Sequence, residues 1–245
     1  MVDNPKVYPK TSMPSIQDYL DVFEPILKDG KDIICICIST KFSGSYNSAM
    51  NAKNMLLDKY PNMKIEIIDA TVNTVLQGML VEAAVVKKNN GASFEETIKY
   101  VNMIKETGRI FFTIGGMDYL VHGGRVGKLS GIAAGALGIK PLILLKDGEI
   151  FSNGLTRGRK KSIQKIIEQI VDYFKDNQYD VNKYRFCIGF GYDKEEAVKF
   201  KEKFIEAIKE ICPSFNDDVS IRQIGATIGV HTGPHPLGVG LLQKD

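Results

Sequence analysis

Residues 33–38 read Ile-Ile-Cys-Ile-Cys-Ile, an unbroken β-branched and small apolar run with no polar alternation. A run of this length suits a strand covered on both faces, the usual situation of a strand in a parallel sheet. It passes at once into Ser39-Thr-Lys-Phe-Ser-Gly-Ser45 and then a helical stretch, so a strand ends in a hydroxyl-rich turn that opens a helix. A second strand is predicted at 64–69, helices at about 75–89 and 94–107, and a third strand at 109–114. Upstream, Ile16, Tyr19, Leu20, Phe23, Ile26 and Leu27 fall at helical spacing until Gly30 ends them. Strand, helix, strand, helix, strand in this order predicts a right-handed parallel α/β layer.

The second half has a different rhythm. Small apolar residues over 129–139 predict a tightly packed helix. The segments 141–145 and 150–155 flank a Lys-Asp-Gly-Glu turn as an antiparallel hairpin. A basic helix over 158–175, a strand over 184–192 and a helix over 194–211 follow. The last helix carries Phe200, Phe204, Ile208 and Ile211 on one stripe, and the segments 219–225 and 231–240 read as closing strands. The fold class expected is α/β: a parallel-sheet N-terminal domain, 1–115, then an α+β domain with a largely antiparallel sheet, 116–245, and a cleft between them.

Composition narrows the function classes. At 245 residues the chain buries enough surface to fold without disulfides or metal. Its net charge of +3 gives no electrostatic case for nucleic acid. No apolar run approaches the ~20 residues of a membrane span, and the first fifteen residues lack the apolar core of a secretory signal. Four cysteines without a CxxC or a regular framework point to the reducing cytoplasm.

The turn at 38–49 is the strongest candidate site. A helix start offers unpaired N–H groups and the positive end of the dipole, a ready anion site. An N-cap by Ser43 or Ser45 is the simpler reading. One hydroxyl suffices for a cap, however, and Ser39, Thr40, Ser43 and Ser45 are more than a cap needs. The segment His122–Gly131 is not a P-loop, because Gly127-Lys128 is followed by Leu129 and the first glycine is missing. Its glycines instead mark a tight turn that fixes Arg125. His231 and His235 are four apart, but the intervening Gly-Pro forbids a shared helical face, so no metal site is expected. Cys35 and Cys37 read as small core hydrophobes. No G-x-S-x-G occurs, although Ser43 and His231 could meet in space as a nucleophile and base. Arg157, Arg159, Lys160 and Lys161 cluster at a helix start, against the dipole; an anionic partner would account for them, and no aromatic stacking set accompanies them to favour nucleic acid.

Taken together, five segments resemble the DegV family of fatty-acid-binding proteins. Thr11–Ser15 is similar to the family's T-S-Q-P-S, and the stretch from Ile38 to Ala52 to its S-S-x-L-S-G-T-Y-x-S-A. Residues 67–79 follow its I-D-S stretch. Asp118–Ile150 resembles its Y-L-x-x-G-G-R-I…I-K-P-I-L…D-G segment, and 224–240 its G-A-x-I-G-x-H-x-G-P-G block. The resemblance runs from Thr11 to the C-terminus in unchanged order.

The resemblance implies two α/β domains holding a long-chain fatty acid, its tail in a hydrophobic tunnel and its carboxylate at Thr11 and Ser43. Gly44 and Ser45 complete that turn, and His231 helps to order the head group. It also implies a non-catalytic subunit, without cofactor, that presents the acid to the catalytic subunit of a fatty acid kinase for phosphorylation. Arg125 and Arg157 are the implied partner contacts. A Ser43/His231 acyl or phosphoryl transfer enzyme is the alternative, and a regulatory protein using the basic cluster a third. The chain departs from the pattern in several places: the strand–helix segment that usually precedes T-S-Q-P-S is expected to be lacking, Ala70 stands for serine, Ser45 for threonine and His235 for the last glycine. For the tail, ~0.8 kcal/mol per buried CH₂ gives on the order of 11 kcal/mol for a sixteen-carbon acid before ordering costs.

Overall fold

The computed structural model describes residues 1–129 and 138–244. The chain begins with an extended lead-in and helix α1 (Ile16–Lys28), whose start is a capping box: the Asp18 N–H donates to Ser15 Oγ, and the Asp18 carboxylate accepts from the Ser15 N–H. Strand β1 (Ile33–Cys37), helix α2 (Ser45–Lys59) and strand β2 (Ile65–Asp69) form a β-α-β unit with the two strands parallel, Ile33 opposite Ile65 and Cys37 opposite Asp69. Helices α3 (Thr74–Asn89) and α4 (Phe94–Lys105) follow, the second opened by a Ser93/Glu96 capping box. Then come β3 (Arg109–Thr113), the short α5 (Asp118–His122), the hairpin β4 (Ile139–Lys146) and β5 (Glu149–Arg157), and α6 (Arg159–Asp176). Strand β6 (Tyr184–Phe190), α7 (Lys194–Ile211), β7 (Ser220–Gln223), α8 (Ala226–Thr232) and β8 (Leu237–Gln243) complete the chain.

The strands form two sheets, the parallel pair β1-β2 and a six-stranded sheet in the order β5-β4-β3-β8-β6-β7. In the larger sheet the β6-β7 pairing is parallel and the others antiparallel. Side chains of the larger sheet alternate between two cores, as a period of two requires. Phe111, Leu142 and Leu241 face Ile166, Ile170, Phe200 and Phe204 of α6 and α7. Their neighbours Ile110, Ile143 and Leu242 face Leu76, Leu80 and Ile104 of α3 and α4. The small sheet packs Ile33, Cys37, Ile65 and Ile67 against Phe23 and Leu27 of α1 and Ala49, Ala52 and Leu56 of α2. On its other face Ile68 meets Ala84 and Val101. Helices α3 and α4 therefore form a layer shared by both sheets, and the order is helix, small sheet, helix, large sheet, helix.

Two expectations are corrected. Strand 109–114, read as part of the parallel layer, lies inside the larger sheet between β4 and β8 and is antiparallel to both. An apolar run shows that a strand is buried but not which strand it pairs with. β3 and β8 come close at Gly238, where a Cβ would overlap the Phe111 carbonyl oxygen and Phe112 Cβ, so only glycine fits. The C-terminal segment from 231, read as strand, is helical through Thr232 and becomes strand only at Leu237. The expected helix at 129–139 falls largely outside the described residues. No described helix is long and apolar enough to cross a membrane.

Candidate functional site

A cavity of about 620 Å³ opens where the C-terminal end of β1, the start of α3, the lead-in and α8 converge. That size is typical of small-molecule sites. Polar groups line one part of it: Thr11, Ser43, Ser45 and His231. Elsewhere apolar side chains such as Ile38, Phe42, Val75, Phe112, Leu120 and Ile228 line it, interrupted by Asn73, Gln77, Arg125 and Arg222. A smaller cavity of about 60 Å³ shares Val75, Phe112, Ile224 and Ile228 and is closed by Gly189, Leu237 and Gly238. The larger cavity lies at the carboxyl end of a parallel strand, where open α/β sheets bind ligands.

The hydroxyl-rich turn divides its work. Ser39 Oγ donates to the Gly148 carbonyl at 2.8 Å, tying the small sheet to the β4–β5 turn. Thr40 Oγ1 donates to the Asp69 carboxylate at 2.6 Å, and the same carboxylate accepts the Thr71 N–H at 2.8 Å. Those two hydroxyls fasten loops. Ser43 and Ser45 remain at the cavity, Oγ to Oγ 2.7 Å apart, with Ser43 Oγ also accepting the Ser45 N–H at 3.2 Å. The N-cap position of α2 is Gly44, which supplies no side-chain bond, and Ser43, one residue earlier, takes up the first N–H of the helix, that of Ser45. A Cβ at Gly44 would lie 2.5 Å from Met13 Sδ, so glycine here lets the lead-in lie across the helix start.

Across the cavity, Thr11 Oγ1 and His231 Nε2 are 2.9 Å apart. The other ring nitrogen, Nδ1, is buried without a partner. A buried unpaired acceptor costs less than a buried unpaired N–H. The proton therefore belongs on Nε2, which donates to Thr11 Oγ1 and leaves the threonine's own hydrogen available to a ligand in the cavity. Burial, and secondarily the nearby Arg125 guanidinium, hold the His231 pKa below the ordinary imidazole value and so keep the ring neutral. The ring is seated by Gly123, where a Cβ would overlap Nδ1 and lie 3.0 Å from Cε1.

Arg125 follows Gly124, whose φ of 64° makes the turn. Its Nε donates to the Phe42 carbonyl at 3.2 Å and its Nη1 to the Gly123 carbonyl at 2.8 Å. Arg125 is exposed yet reaches the cavity rim beside Ser43. Arg157 is also exposed, ends β5 opposite Ile139 and does not line the cavity. Of its basic neighbours, Arg159 forms a two-point pair with Glu196, Nε–Oε1 2.9 Å and Nη2–Oε2 2.5 Å, which accounts for that cation at a helix start. Ser43 and His231, paired in the enzyme alternative, bond to Ser45 and Thr11 respectively. Among the described residues no group of three His, Cys, Asp or Glu side chains comes together as a metal cage.

Sequence reasoning missed several members of the site. Thr74 lines both cavities, carries a buried Oγ1 without a partner and has φ 49°, a left-handed conformation that a β-branched residue rarely adopts. Thr71, in the same loop, has φ 54°. The position of this loop, straight after the carboxyl end of β2, was the available signal. Tyr19, Cys35 and Cys37 also line the cavity; as expected Cys37 belongs to the core of the small sheet, with Cys35 packed half-buried against it.

Comparison with known proteins agrees with the architecture. A family profile described as "Uncharacterised protein, DegV family" matches residues 2–244. A DegV domain-containing protein of Clostridium acetobutylicum is 32% identical over 238 residues, covering 96% of this chain and 80% of the relative. Another, from Caldanaerobacter subterraneus subsp. tengcongensis, is 34% identical over 236 residues, covering 96% and 79%. The crystal structure of a stearic acid-binding protein from Eubacterium ventriosum superimposes with a TM-score of 0.90 at 39% identity, covering all of this chain and 81% of that one. With the profile spanning nearly the whole sequence, this chain belongs to the DegV family.

Proposed function

We propose that the protein binds a long-chain fatty acid, its carboxylate at Thr11 and Ser43 and its tail along the apolar wall. The observation that carries this reading is the pairing of the two polar sides of the cavity. Thr11 Oγ1 lies 2.9 Å from His231 Nε2, so a neutral ring protonated at Nε2 frees the Thr11 hydroxyl hydrogen, and Ser43 lines the same cavity just before the start of α2. A carboxylate there receives hydrogen bonds from the hydroxyls with the Arg125 guanidinium at the rim, and burial of the tail supplies most of the affinity. The similar protein from Eubacterium ventriosum, described as binding stearic acid, supports the assignment.

The carrier reading extends further. The protein is non-catalytic and presents the acid to the catalytic subunit of a fatty acid kinase, in the cytoplasm, with Arg125 and Arg157 at the partner face. Exposure of both arginines supports this. The bonds made by Arg125 to Phe42 and Gly123 give it a second task, holding the turn beside Ser43. The separate partners of Ser43 and His231 favour carrying over nucleophilic catalysis. The test is to titrate delipidated protein with stearate, then add a fatty acid kinase catalytic subunit and ATP. Saturable binding followed by acyl phosphate formation supports the reading. Binding with ester hydrolysis that is lost in Ser43→Ala would replace it with the enzyme.

A further inference from the structure

Two sulfur atoms and a phenol meet on the cavity wall, on the side of Ser45, which the phenol also contacts. Cys35 and Cys37 are two apart on β1, so their side chains share a face, and Sγ lies 3.7 Å from Sγ. Tyr19 Oη of α1 is 4.0 Å from Cys37 Sγ. All three side chains line the same cavity as Ser43 and His231. Cys37 is 4% exposed and lines the cavity, so bulk reagents scarcely reach it.

We infer that Cys37 is a covalent capture site for fatty acids that carry an α,β-unsaturated carbonyl, the electrophilic products of lipid oxidation. The inference rests on the fatty-acid reading of the cavity. Cys37 Sγ has two potential donors beside it, the Cys35 S–H and the Tyr19 O–H, and hydrogen bonds to a sulfur favour its thiolate form. The same bonds place the Cys37 thiol below, and the Cys35 thiol above, the ordinary range. Burial pushes the Tyr19 phenol up to about 12, so it stays protonated and able to donate. In the reaction the sulfur electron pair forms a bond to the β-carbon. The carbon–carbon π pair shifts toward the carbonyl as an enolate, and the α-carbon then takes up a proton equivalent to the one Cys37 lost, with Tyr19 placed to relay it. The adduct is the sum of protein and acid; no oxidant or other co-reactant enters.

The carboxylate site makes the reaction selective. A saturated acid occupies the same cavity and blocks it. Cys212, half-buried far along the sequence beside Asn182 and Ser214, serves as an internal control, since it lines no part of this cavity. The experiment incubates delipidated protein with an oxo-octadecenoic acid bearing a conjugated enone, then records intact mass and peptide maps. Stearate binding is measured on the same preparation. The expected result is one adduct on the peptide containing Cys37, suppressed at least tenfold by prior stearate. It should be abolished in Cys37→Ser and slowed in Cys35→Ser and Tyr19→Phe, each compared at equal occupancy of the cavity because all three side chains line it. Normal stearate binding without an adduct, an adduct on Cys212 alone, or labelling indifferent to stearate or to Cys37→Ser overturns the inference while leaving the fatty-acid reading intact. Absence of stearate binding overturns both.

Discussion

The seating of His231 against Gly123 yields the sharpest prediction. Gly123 has φ −75° and ψ −9°, a backbone that alanine adopts freely, so the effect of Gly123→Ala is steric. The added methyl would overlap Nδ1 and stand 3.0 Å from Cε1, and the ring must move. Moving it breaks the 2.9 Å contact that orients the Thr11 hydroxyl. Losing one hydrogen bond to a charged carboxylate is worth ~1.5–3 kcal/mol. Stearate should therefore bind about ten- to a hundredfold more weakly. Overpacking of this kind typically costs ~1–3 kcal/mol of stability, which in a chain of this size lowers Tm by roughly 2–10 °C. The assay is calorimetric titration with stearate beside thermal melting, on Gly123→Ala, His231→Ala and the double variant. With the ring gone the methyl meets only the Tyr119 carbonyl oxygen, 3.0 Å away, so the double variant should match His231→Ala in affinity and melt only slightly below it. Wild-type affinity and melting in Gly123→Ala would refute the reasoning. So would equal losses from Gly123→Ala with and without His231.

Thr11→Ala and Ser43→Ala should each weaken stearate binding by about tenfold or more, with Tm within a few degrees of wild type, because each removes one donor from a charged acceptor; isothermal titration decides. Arg157→Ala should leave stearate affinity unchanged and lower acyl phosphate formation by a kinase subunit, increasingly so as salt rises, since exposed charges are screened over ~10 Å at 0.1 M. Arg125→Ala should lower both, because its bonds to the Phe42 and Gly123 carbonyls also hold the cavity rim. For pH, the folded pKa of His231 is depressed, so as pH falls below the unfolded value near 6.5 the unfolded chain takes up a proton that the folded one resists. Stability should fall with pH through that window, and His231→Gln should flatten the dependence in denaturant titrations at a series of pH values.

The parts of the fold legible in the sequence were local ones. The apolar run at 33–38, the turn after it and the helix that follows lie in one continuous stretch, and both capping boxes are written within four residues. Partner choice was not legible. Arg109–Thr113 is an apolar strand that would suit a parallel layer equally well, and its place between β4 and β8 depends on Gly238, more than a hundred residues away. Helix α8 was hidden because Thr, Ile, Gly and Val favour strand or turn over helix; its contacts with α5 hold it in place. In the site, Thr11, Ser43 and His231 stood out through motif resemblance. Tyr19, Cys35, Cys37 and Thr74 join them only by packing. The four-hydroxyl turn also overstated its case, since Ser39 and Thr40 are engaged by Gly148 and Asp69.

The central claim, that the cavity between Thr11, Ser43 and the apolar wall holds a fatty acid, is tested most directly by denaturing extraction and mass spectrometry of freshly purified protein. The account predicts close to one equivalent of long-chain fatty acid in the wild type and much less in the Thr11→Ala/Ser43→Ala double variant purified in parallel. A wild-type protein that emerges empty and takes up no added stearate would contradict it.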